Sequence, residues 1–271
     1  MPNWAFRPSR AGRRTQRLRD RFVGAARRSA SALPALARLV LPGSCALCGN
    51  MSHRVLCGVC GDAWWNEARL RCAVCAVPLS ALRRASVMRY RCGDCLATPP
   101  AFDATVALAD YRPPLDALAV GLKFRARLGL AHEFARRLAW AALDVFEAHE
   151  ASGPPDVVAP VPLSARRLVE RGYNQAWEIA RPCAKVLGVR SDATLVRRVI
   201  DTAPQSKLDL DARRQNVGRA FEVSQPVCGL HVAIVDDVMT TGATLDALAR
   251  TLKAAGARRV TNLVALRTPK N

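Results

Sequence analysis

The sequence predicts an α/β protein in which a parallel sheet flanked by helices follows an N-terminal cysteine-rich zinc-ribbon module. Three observations support this fold class. The chain has 271 residues, half of them hydrophobic, which is enough for one sizeable domain and a small one. Short apolar runs alternate with helical periodicity beyond residue 100, and eight of the ten cysteines lie between residues 45 and 95.

The second half of the chain alternates between the two kinds of pattern. Apolar runs predict strands at 102–111, 156–162, 193–200, 219–224, 232–235 and 259–266. Spacings of three and four residues predict helices at 115–122, 128–146, 174–187 and 243–255. Strands that alternate with helices favour a parallel sheet with right-handed crossovers.

The basic charge is concentrated near the N-terminus. The formal net charge is +19, and residues 1–100 carry 17 Lys and Arg against 4 Asp and Glu. Such a charge is typical of proteins that bind nucleic acid or another polyanion, and compositional drift toward arginine explains it equally well. We expect residues 1–32 to form a basic, disordered extension. Apolar runs are short or interrupted by charge, and no secretory signal is visible, so the sequence predicts a cytoplasmic protein without a transmembrane helix.

Four Cys-x-x-Cys pairs predict two structural zinc sites in residues 33–100. Each pair can present two thiolates to one tetrahedral ion, and four thiolates leave no coordination position open. Sequential pairing groups the first four cysteines and the last four, whereas a cross-braced arrangement would join the first pair to the third. Both arrangements use the same eight residues: Cys45, Cys48, Cys57, Cys60, Cys72, Cys75, Cys92 and Cys95.

The segment 232–245, VAIVDDVMTTGATL, predicts a phosphate-binding site. Its apolar residues 232–235 form a buried strand, Asp236 and Asp237 follow where the strand would end, and a Thr- and Gly-rich loop leads into a helix. Backbone N–H groups at a helix N-terminus attract an anion. Two carboxylates beside them can accept hydrogen bonds from a sugar diol or hold Mg²⁺.

Three further stretches can complete such a site. Val161, Pro162 and Leu163 follow a predicted strand, and Arg171 opens the motif RGYNQA, so backbone N–H groups and a guanidinium are available for a pyrophosphate. Taken alone, RGYNQA is more typical of an ordinary helix N-cap at Asn174 with solvated arginines. The polar segment 202–216 contains Gln205, Arg213 and Asn216 and is either a mobile lid or a plain exposed connection. Lys123 lies within an apolar helix, where a snorkelling lysine is the default interpretation.

Together these motifs resemble the ComF/GntX-like proteins, which join a double zinc ribbon to a type I phosphoribosyltransferase domain. The resemblance rests on the multiple Cys-x-x-Cys pairs, Leu-Lys-Phe at 122–124, RGYNQA and DDVMTTGAT, and it implies a phosphoribosyltransferase-like domain over 101–271. It implies that Asp236 and Asp237 are catalytic and contact the ribose hydroxyls. It also implies a pyrophosphate site at Val161, Pro162, Leu163 and Arg171. The implied site for phosphoribosyl pyrophosphate (PRPP) with Mg²⁺ comprises Asp236, Asp237, Val238, Met239, Thr240, Thr241, Gly242, Ala243 and Thr244.

The resemblance implies a PRPP-binding protein of natural competence that acts in the uptake of single-stranded DNA. Its partners would be PRPP or another phosphoribosyl ligand, single-stranded DNA and DNA-uptake proteins at the inner face of the membrane. The alternative is an active phosphoribosyltransferase (a pentosyl-transferring glycosyltransferase) of nucleotide or other small-molecule metabolism with no role in DNA. The sequence favours an enzyme, but no residue identifies the acceptor substrate of the phosphoribosyl group.

Overall fold

The computed structural model describes residues 43–65, 70–79, 90–147, 153–199 and 220–269. The predicted basic extension and the predicted lid residues Gln205, Arg213 and Asn216 lie outside this part of the chain. None of the helices in the described ranges combines the length and the apolar character that crossing a membrane requires.

The cysteine-rich region forms two small modules. The first, residues 43–65, consists of the antiparallel strands β1 (Gly43–Ser44) and β2 (Met51–Ser52) and helix α1 (Gly58–Trp65). The second, residues 70–79 and 90–97, contains an isolated bridge between Arg71 and Pro78 and helix α2 (Gly93–Ala97). Such short elements bury little apolar surface, so crosslinks must hold the modules together.

The elements that follow confirm the predicted alternation of strands and helices. The strands are β3 (Ala104–Asp110), β4 (Val157–Pro160), β5 (Arg190–Ser191), β6 (Val196–Arg198), β7 (Phe221–Val223), β8 (His231–Met239) and β9 (Arg259–Arg267). The helices are α3 (Asp116–Phe124), α4 (Gly129–Glu147), α5 (Ala165–Arg171), α6 (Gln175–Leu187) and α7 (Ala243–Ala254).

Within the described residues the main sheet has five strands in the order β3-β9-β8-β4-β5, and every neighbouring pair is parallel. The predicted fold class, a parallel sheet flanked by helices and preceded by a cysteine-rich module, is therefore confirmed. The predicted strands at 193–200 and 219–224 do not join this sheet. Their described parts, β6 and β7, pair with each other in a separate antiparallel ribbon.

The two faces of the sheet carry separate hydrophobic cores. In β8, Ala233 and Val235 pack on one side with α3, α4 and α6, whereas Val232 and Ile234 pack on the other side with α7. This alternation follows from the period of two residues in a strand. Each cysteine module joins a different core: Cys45 and Cys60 belong to the α4 side, and Cys72, Cys75 and Cys95 belong to the α7 side.

Candidate functional site

The site begins where β8 continues beyond its neighbour β4. Pro160, the last residue of β4, lies opposite Val235, and the N–H of Val161 donates to the carbonyl of Val235 at 2.9 Å. β8 nevertheless continues along β9 as far as Met239, opposite Arg267. The predicted strand 232–235 was therefore too short, because pairing with the nine-residue β9 holds the acid pair inside the strand.

Asp236 and Asp237 lie in this one-sided end of β8, the part of the strand that pairs with β9 but extends beyond β4. The side chain of Asp237 is almost completely buried, at 2% exposure, and Asp236 is half-buried. Each carboxylate accepts the next N–H of the chain: Asp236 Oδ1 from Asp237 N at 2.9 Å, and Asp237 Oδ1 from Val238 N at 3.0 Å. Enclosure by the fold and the adjacent charge of Asp237 raise the pKa of Asp236 well above its usual value. Two adjacent carboxylates at this position attract a cation or a hydrogen-bond donor.

Lys123 supplies one positive charge to the acid pair. Its Nζ lies 3.1 Å from Asp237 Oδ2 and its side chain is 25% exposed. The default interpretation of Lys123 as a snorkelling side chain misses this contact, because the ion pair joins α3 to β8 across a long stretch of chain. One lysine compensates one of the two carboxylates, so the pair retains an affinity for a second cation.

The segment Leu122–Phe124 is fastened to the RGYNQA motif on both sides of Lys123. The hydroxyl of Tyr173 donates to the carbonyl of Leu122, and the guanidinium of Arg171 lies over the ring of Phe124 at 5.5 Å from its centroid. Since neighbouring residues on either side of Lys123 are held, its ammonium is directed toward Asp237. The structure thus gives the RGYNQA motif a positioning task that its sequence did not reveal.

The rest of the RGYNQA motif fixes the loop that follows β4. Asn174 caps α6, because its Oδ1 accepts from the N–H groups of Ala176 at 2.9 Å and Trp177 at 3.4 Å. The Nδ2 of the same side chain donates to the carbonyl of Val161 at 3.0 Å. Val161 and Pro162 are buried and Leu163 is half-buried. Arg171 donates to Gln175 Oε1 at 2.9 Å and is half-buried, so part of its guanidinium remains accessible.

The predicted phosphate loop, residues 240–244, leads from β8 into α7. Thr240, Thr241, Ala243 and Thr244 are exposed, and Gly242 is buried with φ +86°. The Oγ1 of Thr241 accepts from the N–H of Ala243 at 3.3 Å, and Asp246 N donates to the carbonyl of Gly242 at 2.8 Å. The N-terminus of a twelve-residue helix therefore faces solvent beside the acid pair, in an arrangement that can accept an anion.

The eight cysteines form two tetrads in sequential order. Cys45, Cys48, Cys57 and Cys60 form the first, and Cys72, Cys75, Cys92 and Cys95 form the second. The sulfur atoms within each tetrad lie within 4.8 Å of one another. The Sγ atoms of Cys48 and Cys57 are 3.8 Å apart and those of Cys75 and Cys92 are 3.6 Å apart. Tetrahedral zinc with bonds of about 2.3 Å requires sulfur atoms about 3.8 Å apart, so both tetrads fit one zinc ion each.

The two tetrads repeat the same local hydrogen bonds. Cys57 N donates to Cys45 Sγ and Cys92 N donates to Cys72 Sγ, each at 3.3 Å. Hydrogen bonding from the Cys75 thiol lowers the pKa of Cys72 to about 4, although burial opposes this effect. Donors that favour a thiolate are typical of structural zinc knuckles.

No family model matches the chain, but individual relatives do. It is 38% identical over 227 residues to the DNA utilization protein YhgH of Salmonella typhimurium, covering 82% of this chain and 96% of that protein. It is 33% identical over 172 residues to competence protein F of Haemophilus influenzae, covering 62% of this chain and 75% of that protein. The glutamine phosphoribosylpyrophosphate amidotransferase of B. subtilis matches at 20% identity and a TM-score of 0.34, covering 49% of this chain and 25% of that one.

The match to the DNA utilization protein spans nearly the whole of that relative, and the competence protein carries the same likeness over a shorter range. Both agree with the resemblance that the cysteine pairs, RGYNQA and DDVMTTGAT indicate. The chain therefore belongs to the ComF-like family of DNA utilization protein YhgH and competence protein F.

Proposed function

We propose that this protein binds PRPP with Mg²⁺ at the carboxyl edge of its sheet and acts in the handling of single-stranded DNA. The observation that carries the ligand assignment is the acid pair, which lies in the one-sided end of β8 beside an exposed helix N-terminus. A sugar diol and a phosphate on one ligand match a pair of carboxylates and a helix N-terminus within a single loop. The predicted ligand residues follow this division: Asp236 and Asp237 for the ribose, and residues 240–244 for the 5′-phosphate.

The charges at the acid pair support a bound cation. Lys123 compensates Asp237 at 3.1 Å, whereas burial and the adjacent charge of Asp237 raise the pKa of Asp236, so a further cation would stabilise its charged form. Carboxylate oxygens are suitable ligands for Mg²⁺, which binds through one or two carboxylates together with phosphate oxygens of a substrate. Mg²⁺ would be held by Asp236 and Asp237, and it would supply neutralising charge to the pyrophosphate. Arg171, Val161, Pro162 and Leu163 would surround that pyrophosphate.

Both tetrads would hold one structural zinc ion each, giving two per chain. Their eight thiols require a reducing compartment, which favours the cytoplasm. We assign residues 33–100 to the zinc-binding domain and residues 101–271 to the PRPP-binding domain.

The role in DNA handling rests on the two relatives and on charge. One relative is named for DNA utilization and the other for competence, and this chain has a formal net charge of +19. Positively charged surfaces follow a phosphate backbone without reading its sequence. An active phosphoribosyltransferase without a role in DNA is the competing outcome of the tests.

The ligand assignment is tested by calorimetric titration of PRPP in the presence of Mg²⁺. We expect the wild-type protein to bind, and Asp236→Asn/Asp237→Asn to lose binding. The matched control is Asp192→Asn/Glu222→Gln, which removes one negative charge just after β5 and one within β7, and it should bind as the wild type does. Absent binding to the wild type, or equal binding to the acid-pair variant, would refute the assignment.

The DNA assignment is tested by fluorescence anisotropy with a labelled single-stranded oligonucleotide at several salt concentrations. We expect the logarithm of the association constant to fall linearly with the logarithm of the salt concentration. No binding at moderate salt, together with release of pyrophosphate from PRPP in the presence of a small-molecule acceptor, would favour the metabolic alternative.

A further inference from the structure

A buried arginine connects the second cysteine module to the phosphate loop. Arg267 ends β9 and is 1% exposed, yet it carries a charge that burial strongly disfavours. The hydrogen bonds it donates all end on main-chain carbonyl oxygens. Its Nε donates to Cys75 at 2.8 Å. Its Nη1 donates to Met239 at 3.1 Å, to Thr268 at 2.7 Å and to Thr240.

These acceptors belong to two different parts of the protein. Cys75 is a member of the second tetrad, and its carbonyl lies 192 positions before Arg267 in the chain. Met239 and Thr240 are the residues through which β8 enters the phosphate loop. A guanidinium is planar and presents its donors in fixed directions. Movement of the Cys75 carbonyl therefore moves or weakens the contacts to Met239 and Thr240.

The other end of the phosphate loop is held from the same side of the molecule. The carboxylate of Asp246, in the first turn of α7, accepts from the N–H of Ala101 at 2.7 Å. Ala101 follows the second module by only a few residues. A Cβ added at Gly242 would lie 4.0 Å from Phe102, the residue after Ala101. The loop is thus bracketed by contacts that lead back to the second cysteine module.

The position of the Cys75 carbonyl depends on the tetrad itself. Ala76 follows Cys75 and adopts φ +56°, a left-handed conformation that is strained for a residue with a Cβ. The turn is closed by Ala76 N donating to the carbonyl of Cys72 at 2.8 Å and by Arg71 donating to the carbonyl of Ala76 at 3.1 Å. Coordination of Cys72 and Cys75 by one zinc ion would fix this turn, and its loss would let the turn relax.

We infer that zinc in the second tetrad sets the shape of the phosphate loop through Arg267, so that ligand affinity depends on the loading of this tetrad. The inference rests on the proposed function for the identity of the ligand. Arg267 is a positioning residue, because its hydrogen bonds go to the protein and not to the site that a ligand would occupy. The first tetrad has no such link among the described residues, since its module packs against the α4 side.

The test uses the full chain with Arg267→Lys, which keeps the charge but loses the planar fork, and with Arg267→Gln, which carries one amide and no charge. The control is Arg137→Lys, because the guanidinium of Arg137 lies over Trp65 of the first module at 5.2 Å. We expect both Arg267 variants to retain two zinc ions per chain and to bind PRPP about tenfold more weakly, a change of about 1.4 kcal/mol. The control should bind as the wild type does.

A second readout is independent of any ligand. The chain contains four methionines, of which Met239 is buried beside the phosphate loop and Met51 is exposed in the first module. With methyl-labelled methionine, we expect the NMR signal of Met239 to shift in both Arg267 variants and that of Met51 to stay in place.

The outcomes separate the inference from the proposed function. If the wild type fails to bind PRPP, the proposed function falls, and the Met239 signal alone decides the inference. If the wild type binds and both Arg267 variants bind equally well with an unmoved Met239 signal, the inference is overturned while the proposed function stands. Unfolding of both variants would assign Arg267 to core stability and would also overturn it.

Discussion

The two cysteine modules have the same local chemistry but serve different parts of the fold. Both tetrads repeat the hydrogen bond from the third cysteine's N–H to the first cysteine's sulfur at 3.3 Å. The first module packs into the core of α3, α4 and α6, where Trp65 contacts Phe134 edge to face at 5.8 Å between ring centroids. The second packs into the core of α7, where Arg267 connects it to the phosphate loop.

Because of this difference, we expect the two tetrads to affect ligand binding unequally. The first module stabilises helices that carry side chains toward the site, such as Lys123 on α3. The second module is connected to the phosphate loop through Arg267, which donates to the carbonyls of Cys75, Met239 and Thr240. Displacement of the Cys75 carbonyl would therefore act on the entrance of the loop through one planar side chain.

The largest expected effect comes from removing one tetrad at a time. Cys92→Ser/Cys95→Ser should lose one zinc ion and weaken PRPP binding by tenfold or more, about 1.4 kcal/mol. Cys45→Ser/Cys48→Ser should also lose one zinc ion and change binding by less than about threefold, about 0.7 kcal/mol. Both should unfold at lower temperature, since structural zinc contributes on the order of 10 kcal/mol to small modules. Zinc analysis, thermal unfolding and calorimetry measure these quantities, and an equal loss of affinity in both variants would abolish the distinction.

The next largest effect concerns the contribution of the Lys123–Asp237 ion pair to the free energy of unfolding. Lys123→Met leaves Asp237 buried and unpaired, so we expect the free energy of unfolding to fall by about 3 kcal/mol, the lower end for a broken buried ion pair. Lys123→Met/Asp237→Asn removes both charges and should recover much of this loss. Urea unfolding of the two single variants and the double variant gives the coupling energy. Additive losses would show that the 3.1 Å contact has no energetic weight.

The free energy of unfolding should depend on pH by about 2 kcal/mol through His231. This residue begins β8, at the end of the strand opposite the acid pair, and it belongs to neither cysteine module. Burial, helped by Arg259 and Arg258, lowers the pKa of His231 to about 4. The unfolded chain, with a pKa of about 6.5, therefore binds more protons below pH 6.5, and stability falls as the pH falls toward 4. Between pH 7 and pH 5 the loss should be about 2 kcal/mol.

His231→Gln should remove this dependence, and the exposed His132→Gln should leave it unchanged. Urea unfolding at pH 7, 6 and 5 compares the variants with the wild type at each pH. Since the cysteines are the same in all three proteins, any pH dependence that arises from their protonation cancels in this comparison. The same slope in the wild type and His231→Gln would show that the buried ring does not control the pH dependence.

The smallest expected effect concerns the phosphate loop alone. Gly242→Ala places a Cβ 2.5 Å from the terminal methyl of Met239 and at φ +86°, whereas Gly229→Ala adds the same left-handed strain at φ +72° with nothing within 4 Å. Each should lose about 1 kcal/mol from strain. Only Gly242→Ala should displace Met239 and weaken PRPP binding. Equal PRPP affinity in the two variants would show that the shape of this loop does not matter for binding.

Much of this architecture could be predicted from local patterns. The apolar runs and helical spacings located most of the sheet, and the acid pair with its loop is contiguous in sequence. The end of β8 could not be predicted, because Asp236–Met239 remain in the strand only through pairing with β9. β5, two residues long, was missed because such a segment carries no periodicity.

The long-range contacts of the site were beyond the reach of local patterns. Lys123 and Arg267 each resemble an ordinary basic residue at the end of an apolar element, and only the tertiary fold brings them to Asp237 and to Cys75. One feature of the sequence does point to Arg267: it directly follows the apolar residues of β9, at a position where the strand is still buried. A charged residue at such a position indicates a buried polar network.

The separation of Cys75 and Arg267 along the chain also sets an order of events during synthesis. A ribosome releases the cysteine modules first, and they can take up metal while β8 and β9 are still being made. The phosphate loop emerges next, before the arginine that fixes its entrance. A chain truncated just before Arg267 would therefore keep all eight cysteines and nearly all of β9 but would lack the side chain that joins Cys75 to Met239 and Thr240, so the amount of zinc bound would not distinguish it from the full-length chain.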